Sequence, residues 1–183
     1  MDRKRLLVLS DTHGNVRALE AVLRWVKDLP QPDRVDAAVF LGDGATDLSR
    51  AESAAGFSCE WKIVRGNGDH DLSLPLSDVL DFGGRRFFLC HGHRYALNDG
   101  YYSLLAAAGN LKAEAALFGH THIPCCNNDD DILLINPGSV GRPRSRVGAT
   151  FAVIECEVRK PLEVGFWRIS EHGKIKKLTI QNY

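Results

Sequence analysis

Leu6-Leu7-Val8-Leu9-Ser10-Asp11-Thr12-His13-Gly14-Asn15 is the stretch whose reading decides the fold. Four apolar residues in a row suit a strand covered on both faces, which has no need to alternate with polar side chains. The run stops in Ser-Asp-Thr-His-Gly. Beyond it Val16, Leu19, Leu23 and Val26 recur at helical spacing, with Ala18, Val22 and Trp25 beside them. A strand, a polar turn and a helix make the opening unit of an α/β sheet, where the ligand site lies just outside the strand ends. Asp11 and His13 occupy that turn.

The pattern recurs along the chain. Val39-Phe40-Leu41 runs into Gly42-Asp43, and Ile63-Val64 leads through Arg65 into Gly66-Asn67. Residues 87–89 lead through Cys90 into His91-Gly92-His93, and Leu117-Phe118 runs into Gly119-His120-Thr121-His122. Each apolar run thus delivers carboxylate, amide or imidazole groups at one end. Taken singly these residues have plainer readings. Asp11 with Thr12 suits a helix cap, Asn67-Gly68 an ordinary turn, and the histidines exposed loops. Together, Asp11, His13, Asp43, Asn67, His91, His120 and His122 describe a metal centre with more than one ion. Mixed imidazole and oxygen donors suit manganese, iron, zinc or nickel and lack the thiolate bias of structural zinc.

The remaining elements follow the same logic. The first helix ends before Pro30 and Pro32. Residues 35–41 and 61–64 read as strands and 46–55 as a weaker helix. Strands at 79–82 and 85–90 flank Gly83-Gly84, a two-residue hairpin signal. A helix is expected over 100–108, ending at Gly109-Asn110. Strands are then expected at 132–135, 149–158, 163–169 and 174–180, separated by turn residues. The reading is one domain over residues 1–183, an α/β fold of two packed mixed β-sheets flanked by helices, with the second sheet largely antiparallel.

Composition narrows the class. A chain of 183 residues is long enough to bury a substantial core. Its 23 basic and 23 acidic residues cancel, which argues against a partner such as long duplex nucleic acid. The basic start precedes an apolar run too short for an export signal, and no run reaches transmembrane length. A cytoplasmic protein without a membrane partner is expected, with a homo-oligomer left open. The five cysteines are odd in number and lack zinc-finger spacing. Cys90 reads as a buried small hydrophobe, and Cys125-Cys126 as a loop or strand entry.

The blocks Asp11-Thr12-His13-Gly14-Asn15, Gly42-Asp43, Gly66-Asn67-Gly68-Asp69, His91-Gly92-His93 and Gly119-His120-Thr121-His122 resemble, in type and order, those of the calcineurin-like metallophosphoesterase family. Asn136-Pro137-Gly138-Ser139 follows where its small prokaryotic phosphodiesterase branch carries the same run. The resemblance implies two divalent metal ions per chain, manganese first, with iron, zinc or nickel as alternatives. Asp11, His13, Asp43 and His122 would hold one ion. Asp43, Asn67, His91 and His120 would hold the other, with Asp43 bridging the two. It further implies hydrolysis of a small phosphodiester by a metal-bridging hydroxide. Asn15, His93 and Arg94 become candidates for substrate binding. Fixing the turn is the alternative for Asn15, and orienting His91 the alternative for His93 and Arg94. Arg142, Arg144 and Arg146 suit either a phosphate site or a solvated loop. Other functions compatible with the resemblance are a phosphomonoesterase on nucleotides or phosphoproteins, and a protein-interaction scaffold.

One position departs from the pattern. Many members of the family place histidine directly after the motif asparagine, where it protonates the leaving group. This chain has Gly68 there. His70 or water is left as the substitute acid, and strongly basic leaving groups are expected to suffer.

Overall fold

The computed structural model describes residues 3–129 and 131–180. The chain order is β1 (Lys4–Leu9), α1 (Val16–Lys27), β2 (Ala37–Phe40), α2 (Asp47–Ala55), β3 (Trp61–Ile63), β4 (Ser77–Phe82), β5 (Arg85–Cys90) and α3 (Tyr102–Asn110). It continues through β6 (Ala115–Phe118), β7 (Cys125–Asp129), β8 (Ile132–Asn136), β9 (Ala149–Cys156), β10 (Glu163–Ile169) and β11 (Ile175–Leu178). A six-stranded sheet has the order β11-β10-β9-β1-β2-β3, and a five-stranded sheet the order β4-β5-β6-β8-β7.

Both sheets are mixed, yet the halves of the chain do not divide between them as the change in sequence character suggests. In the first sheet β1, β2 and β3 run parallel, and the C-terminal β9, β10 and β11 are added antiparallel beside β1. The second sheet has a parallel centre of β5, β6 and β8 with antiparallel edges β4 and β7. It is therefore not largely antiparallel. Strand content is local, whereas pairing is decided by which apolar faces meet.

Those faces follow the two-residue period of a strand. From β1, Leu6 and Val8 face the other sheet, where they join Phe87, Leu89, Leu117 and Ile135. Leu7 and Leu9 face outward under α1 and α2, against Leu19, Leu23, Phe40 and Leu48. On the far side α3 covers the second sheet through Leu104, Leu105 and Ala108, packed on Phe88, Phe118 and Leu134. Helix, sheet, sheet and helix thus form successive layers. Burying each Leu or Phe side chain of these layers contributes about 1.5–3 kcal/mol.

Local expectations hold with two corrections. At the β4–β5 turn Gly83 and Gly84 have φ of 58° and 75°, the left-handed pair that the tight hairpin requires. The third helix is displaced from the expected 100–108. Gly100 has φ of 111° and cannot begin a helix, and the helix passes through Gly109 to Asn110. Its stop is Lys112, at φ 54°, while the Ala113 N–H returns to the Ala108 carbonyl. Glycine was a misleading terminator because the backbone reversal falls three residues later. The strand β7, which begins at Cys125-Cys126, has no apolar alternation to announce it; it exists because β8 offers a free edge.

Candidate metal centre

The parallel strands β1, β2, β3, β5 and β6 end on one side of the molecule, and the loops that follow them carry the seven expected ligands. Those loops are conformationally costly. Asp11, His13, Asp43, His120 and His122 have φ of 57°, 45°, 58°, 67° and 60°. Among the described residues nine non-glycine positions have positive φ, so five of the nine belong to this set. Each costs roughly 1–2 kcal/mol relative to right-handed backbone. Strain concentrated this way marks a site the rest of the fold is holding in place.

The holding bonds are specific. The Asp11 N–H donates to the Gly42 carbonyl at 3.0 Å and the His13 N–H to the Asp43 carbonyl at 3.0 Å, so the first two loops are laced together. Asp69 accepts four backbone N–H bonds at 2.9 Å, from Asp43, Gly44, Ala45 and Gly66, and so joins the second loop to the third. Asp47, at the start of α2, accepts the Thr12 hydroxyl and, at 2.9 Å, the Gly14 N–H. The Ser139 hydroxyl donates to the Asp11 carbonyl at 2.7 Å, and Asn136 donates to the Gly119 carbonyl at 2.8 Å. The Asn136–Ser139 run is therefore a tie between loops. Close approach explains two glycines here. A Cβ on Gly66 would lie 2.1 Å from Asp43 Oδ1, and one on Gly141 1.8 Å from the Thr12 carbonyl oxygen.

At the centre each carboxylate uses one oxygen for support and presents the other. Asp11 Oδ2 accepts the Ser10 hydroxyl at 2.5 Å and the His120 N–H at 3.1 Å. Its Oδ1 has no hydrogen-bond partner, although the residue is wholly buried. Asp43 Oδ1 accepts the Gly68 N–H at 2.6 Å, which leaves Oδ2 facing inward. The imidazoles mirror this arrangement. His91 Nδ1 bonds the Leu41 carbonyl at 2.6 Å and His122 Nδ1 the Arg142 carbonyl at 2.6 Å. Because carbonyls only accept, both hydrogens are assigned to Nδ1. The Nε2 lone pairs then face the carboxylates, His122 at 3.0 Å from Asp11 Oδ1 and His91 at 3.5 Å from Asp43 Oδ2. His13 Nε2 lies 3.2 Å from His122 Nε2 and 3.6 Å from both Asp11 Oδ1 and Asp43 Oδ2.

Neutral imidazoles and carboxylates facing one another repel, and a buried acceptor without a partner is costly. Burial works to lower the pKa of His91, but Asp43 and Asp11 outweigh it and raise it, so a proton answers part of this repulsion in the metal-free protein. Cations relieve both problems. Two groups have ligand atoms close enough to hold one: Asp11, His13 and His122, and Asp11, Asp43 and His91. Asp11 is the carboxylate common to both, whereas the family resemblance implies Asp43 in that role; Asp43 falls in the second group alone. The donor set therefore fits divalent metal ions. Burial works to raise the pKa of Asp11, but His122, His13, His91 and the Ser10 hydroxyl outweigh it and hold the carboxyl well below its usual range. For Asp43, burial again works upward and His91 prevails, so its pKa is lowered. Burial lowers the pKa of His120, which favours the neutral imidazole a metal requires.

Above this centre opens a cavity of about 360 Å³ lined by His13, Asp43, Asn67, His120, His122, Arg142, Pro143 and Arg144. Asn67 and His120 thus share its wall with the buried groups, and the His120 ring lies 5.2 Å from that of His91. The structure does not bring His70 or Arg94 to this lining; both are exposed elsewhere. His93 stacks obliquely 5.5 Å from the His91 ring. Asn15 caps α1, its side-chain oxygen accepting the Ala18 N–H at 3.2 Å. Burial pushes the Cys125 thiol up to about 11, which leaves it a protonated packing residue. Sequence reading did not single out Asp47 as a fastener of the first loop. An acidic residue in the first turn of a helix looks like ordinary dipole compensation.

Comparison with known proteins places this arrangement. Residues 5–159 match the calcineurin-like phosphoesterase superfamily domain, and the chain belongs to that family. It is 28% identical over 171 residues to the phosphodiesterase YfcE of Escherichia coli, covering 84% of this chain and 89% of that protein. The crystal structure of a predicted phosphoesterase from Streptococcus pneumoniae superposes with a TM-score of 0.75 at 27% identity, covering 97% of this chain and 98% of the other. A Vps29 from Entamoeba histolytica superposes with a TM-score of 0.76 at 18% identity, covering 97% and 99%, a likeness of fold alone. The family and its relatives support a phosphoesterase. Among the described residues no helix is long and apolar enough to cross a membrane.

Proposed function

We propose that the chain is a phosphodiesterase acting on a small phosphoester in the cytoplasm with two divalent ions, manganese first among them. Asp11, His13, Asp43, Asn67, His91, His120 and His122 would hold the ions. The observation that carries this reading is Asp11 Oδ1, buried and without a hydrogen-bond partner, facing the Nε2 atoms of three imidazoles at 3.0–3.9 Å. Ions bound there would supply a nucleophilic oxygen from water near neutral pH and would offset charge on the phosphoryl group.

The chain's own residues do the rest. Leu41 and Arg142 fix the tautomers of His91 and His122 through their carbonyls. Ser10 and Gly68 fix the two carboxylates through Asp11 Oδ2 and Asp43 Oδ1. The second and third loops stay in register through Asp69. Preorganisation of this kind lets charge develop without reorganising the site. Every histidine lining the cavity belongs to the ligand set, which leaves none there to protonate a leaving group. That favours diesters with weakly basic leaving groups over alkyl monoesters.

The test is elemental analysis of metal-free protein reconstituted with manganese, together with turnover of bis(para-nitrophenyl) phosphate. Bound metal should approach two per chain, with turnover dependent on it. A maximum of one ion, or loaded protein without turnover, overturns the reading.

A further inference from the structure

Arg142 and Arg144 line the cavity above the metal-ligand cluster, on the loop that follows Ser139. Their backbones are tied to that cluster. The Arg142 carbonyl accepts from His122 Nδ1 at 2.6 Å, and the Arg142 N–H donates to the Ser139 hydroxyl at 2.7 Å. The Arg144 N–H donates to the His122 carbonyl at 3.2 Å. Both side chains are exposed, and among the described residues neither guanidinium has a carboxylate partner. Arg24, Arg85 and Arg86 are paired with Glu20, Glu114 and Asp81, whereas exposed Arg17 and Arg50 have no ion pair either; what distinguishes Arg142 and Arg144 is their place in the cavity lining. Two unpaired forks on an anchored loop beside the reaction centre are placed to receive an anion.

Charge sets the kind of anion. Two divalent ions would bring four positive charges, of which Asp11 and Asp43 would return two, and the arginines add two. A simple phosphodiester carries a single negative charge and a diester of pyrophosphate carries two, so the second answers more of that field. The leaving group sets a second constraint. Gly68 provides no acid, and His70 is exposed outside the cavity lining. An alkoxide, whose conjugate acid is about as weak as water, then departs poorly. A phosphate monoester dianion, with a conjugate acid of pKa about 6, departs without a proton.

Both constraints are met by one substrate class. We infer that the site cleaves diesters of pyrophosphate, with Arg142 and Arg144 binding the phosphoryl group that leaves. The inference rests on the phosphodiesterase reading and names its substrate class. In the reaction a water oxygen bonds to one of the two phosphorus atoms. The bridging P–O bond breaks, and its electron pair goes to the oxygen of the second phosphoryl group. One water is consumed, its two protons are shared between products or released, and two phosphomonoesters result. The arginines make their strongest contact as charge builds on the departing oxygen, which raises kcat as well as affinity. They are substrate-binding residues and hold no metal.

The test compares diphenyl pyrophosphate with bis(para-nitrophenyl) phosphate on manganese-loaded wild type, R142A, R144A and the double variant, with R146A as the control outside the cavity lining. Truncation leaves the backbone bonds to His122 in place. Wild type should show the higher kcat/KM on the pyrophosphate diester. Each charged hydrogen bond lost costs about tenfold or more, so the double variant should fall by on the order of 100-fold. Its loss on the aryl diester should be at least tenfold smaller. Arg→Lys should restore part of the loss, since a point charge replaces a fork. Calorimetry provides a readout apart from turnover. Methylene diphosphonate should bind wild type more tightly than inorganic phosphate, and the double variant should lose that difference. Equal losses on both substrates, no preference for methylene diphosphonate, or turnover of the aryl diester alone would overturn the inference while leaving the phosphodiesterase reading intact. Loaded protein that cleaves neither ester overturns both.

Discussion

Asp69→Asn is the substitution that best separates loop geometry from ligand chemistry. Asp69 is no ligand in the proposed centre, yet its carboxylate organises two of the loops. Oδ1 accepts from Gly44 and Ala45, and Oδ2 from Asp43 and Gly66, all at 2.9 Å. A carboxylate is acceptor-only, which is why it can serve four donors at once. An asparagine oxygen can retain one pair. Its NH₂ then faces two N–H groups, so the other pair is lost and replaced by a donor-to-donor contact. Two bonds to a charged acceptor at about 1.5 kcal/mol each give a loss of about 3 kcal/mol. For a domain of this size that shifts Tm downward by roughly 6–12 °C. The assay is urea unfolding of metal-free protein, which excludes any stabilisation by bound ions, followed by manganese binding to the folded variant. Metal affinity should fall too, because Asp43 at φ 58° relies on these bonds. A loss below about 0.5 kcal/mol with unchanged metal affinity would refute the claim that Asp69 holds the loops.

Three further outcomes follow from the same geometry. Because Asp11 belongs to both ligand groups, Asp11→Asn should bring bound manganese below one ion per chain; retention of one full ion would confine Asp11 to a single group. Gly68→Ala places a Cβ 3.1 Å from Asp43 Oδ1 and crowds the supporting oxygen, so metal affinity should drop while urea stability of the metal-free protein stays within about 1 kcal/mol of wild type. Unchanged affinity would show that Asp43 tolerates displacement. Replacing Cys125 and Cys126 with serine costs packing but should leave metal content per folded chain unaltered, and loss of an ion in that variant would add a thiol to the ligand set.

The sequence by itself determined the elements that carry the site. Apolar runs ending in Asp11, Asp43, Asn67, His91 and His120 are local patterns, and burial on both faces dictates their composition wherever they sit in the sheet. The glycines at 83 and 84 announced their turn for the same reason, since the left-handed backbone is a property of the residue itself. Pairing was another matter. Nothing near residues 149–178 says that β9 lies beside β1 or that the C-terminal strands extend the first sheet; that depends on which apolar faces bury each other across the whole chain. The end of α3 depends on Lys112 reversing the backbone, a conformation that no lysine advertises. The candidate site divides along the same line. Its residue types were legible at the strand ends. The sharing of Asp11, the outward Nδ1 hydrogens, the four bonds to Asp69 and the unpaired arginines over the cavity were not. Each is a relation between loops brought together only when the two sheets pack, so folding alone sets the distances on which the chemistry depends.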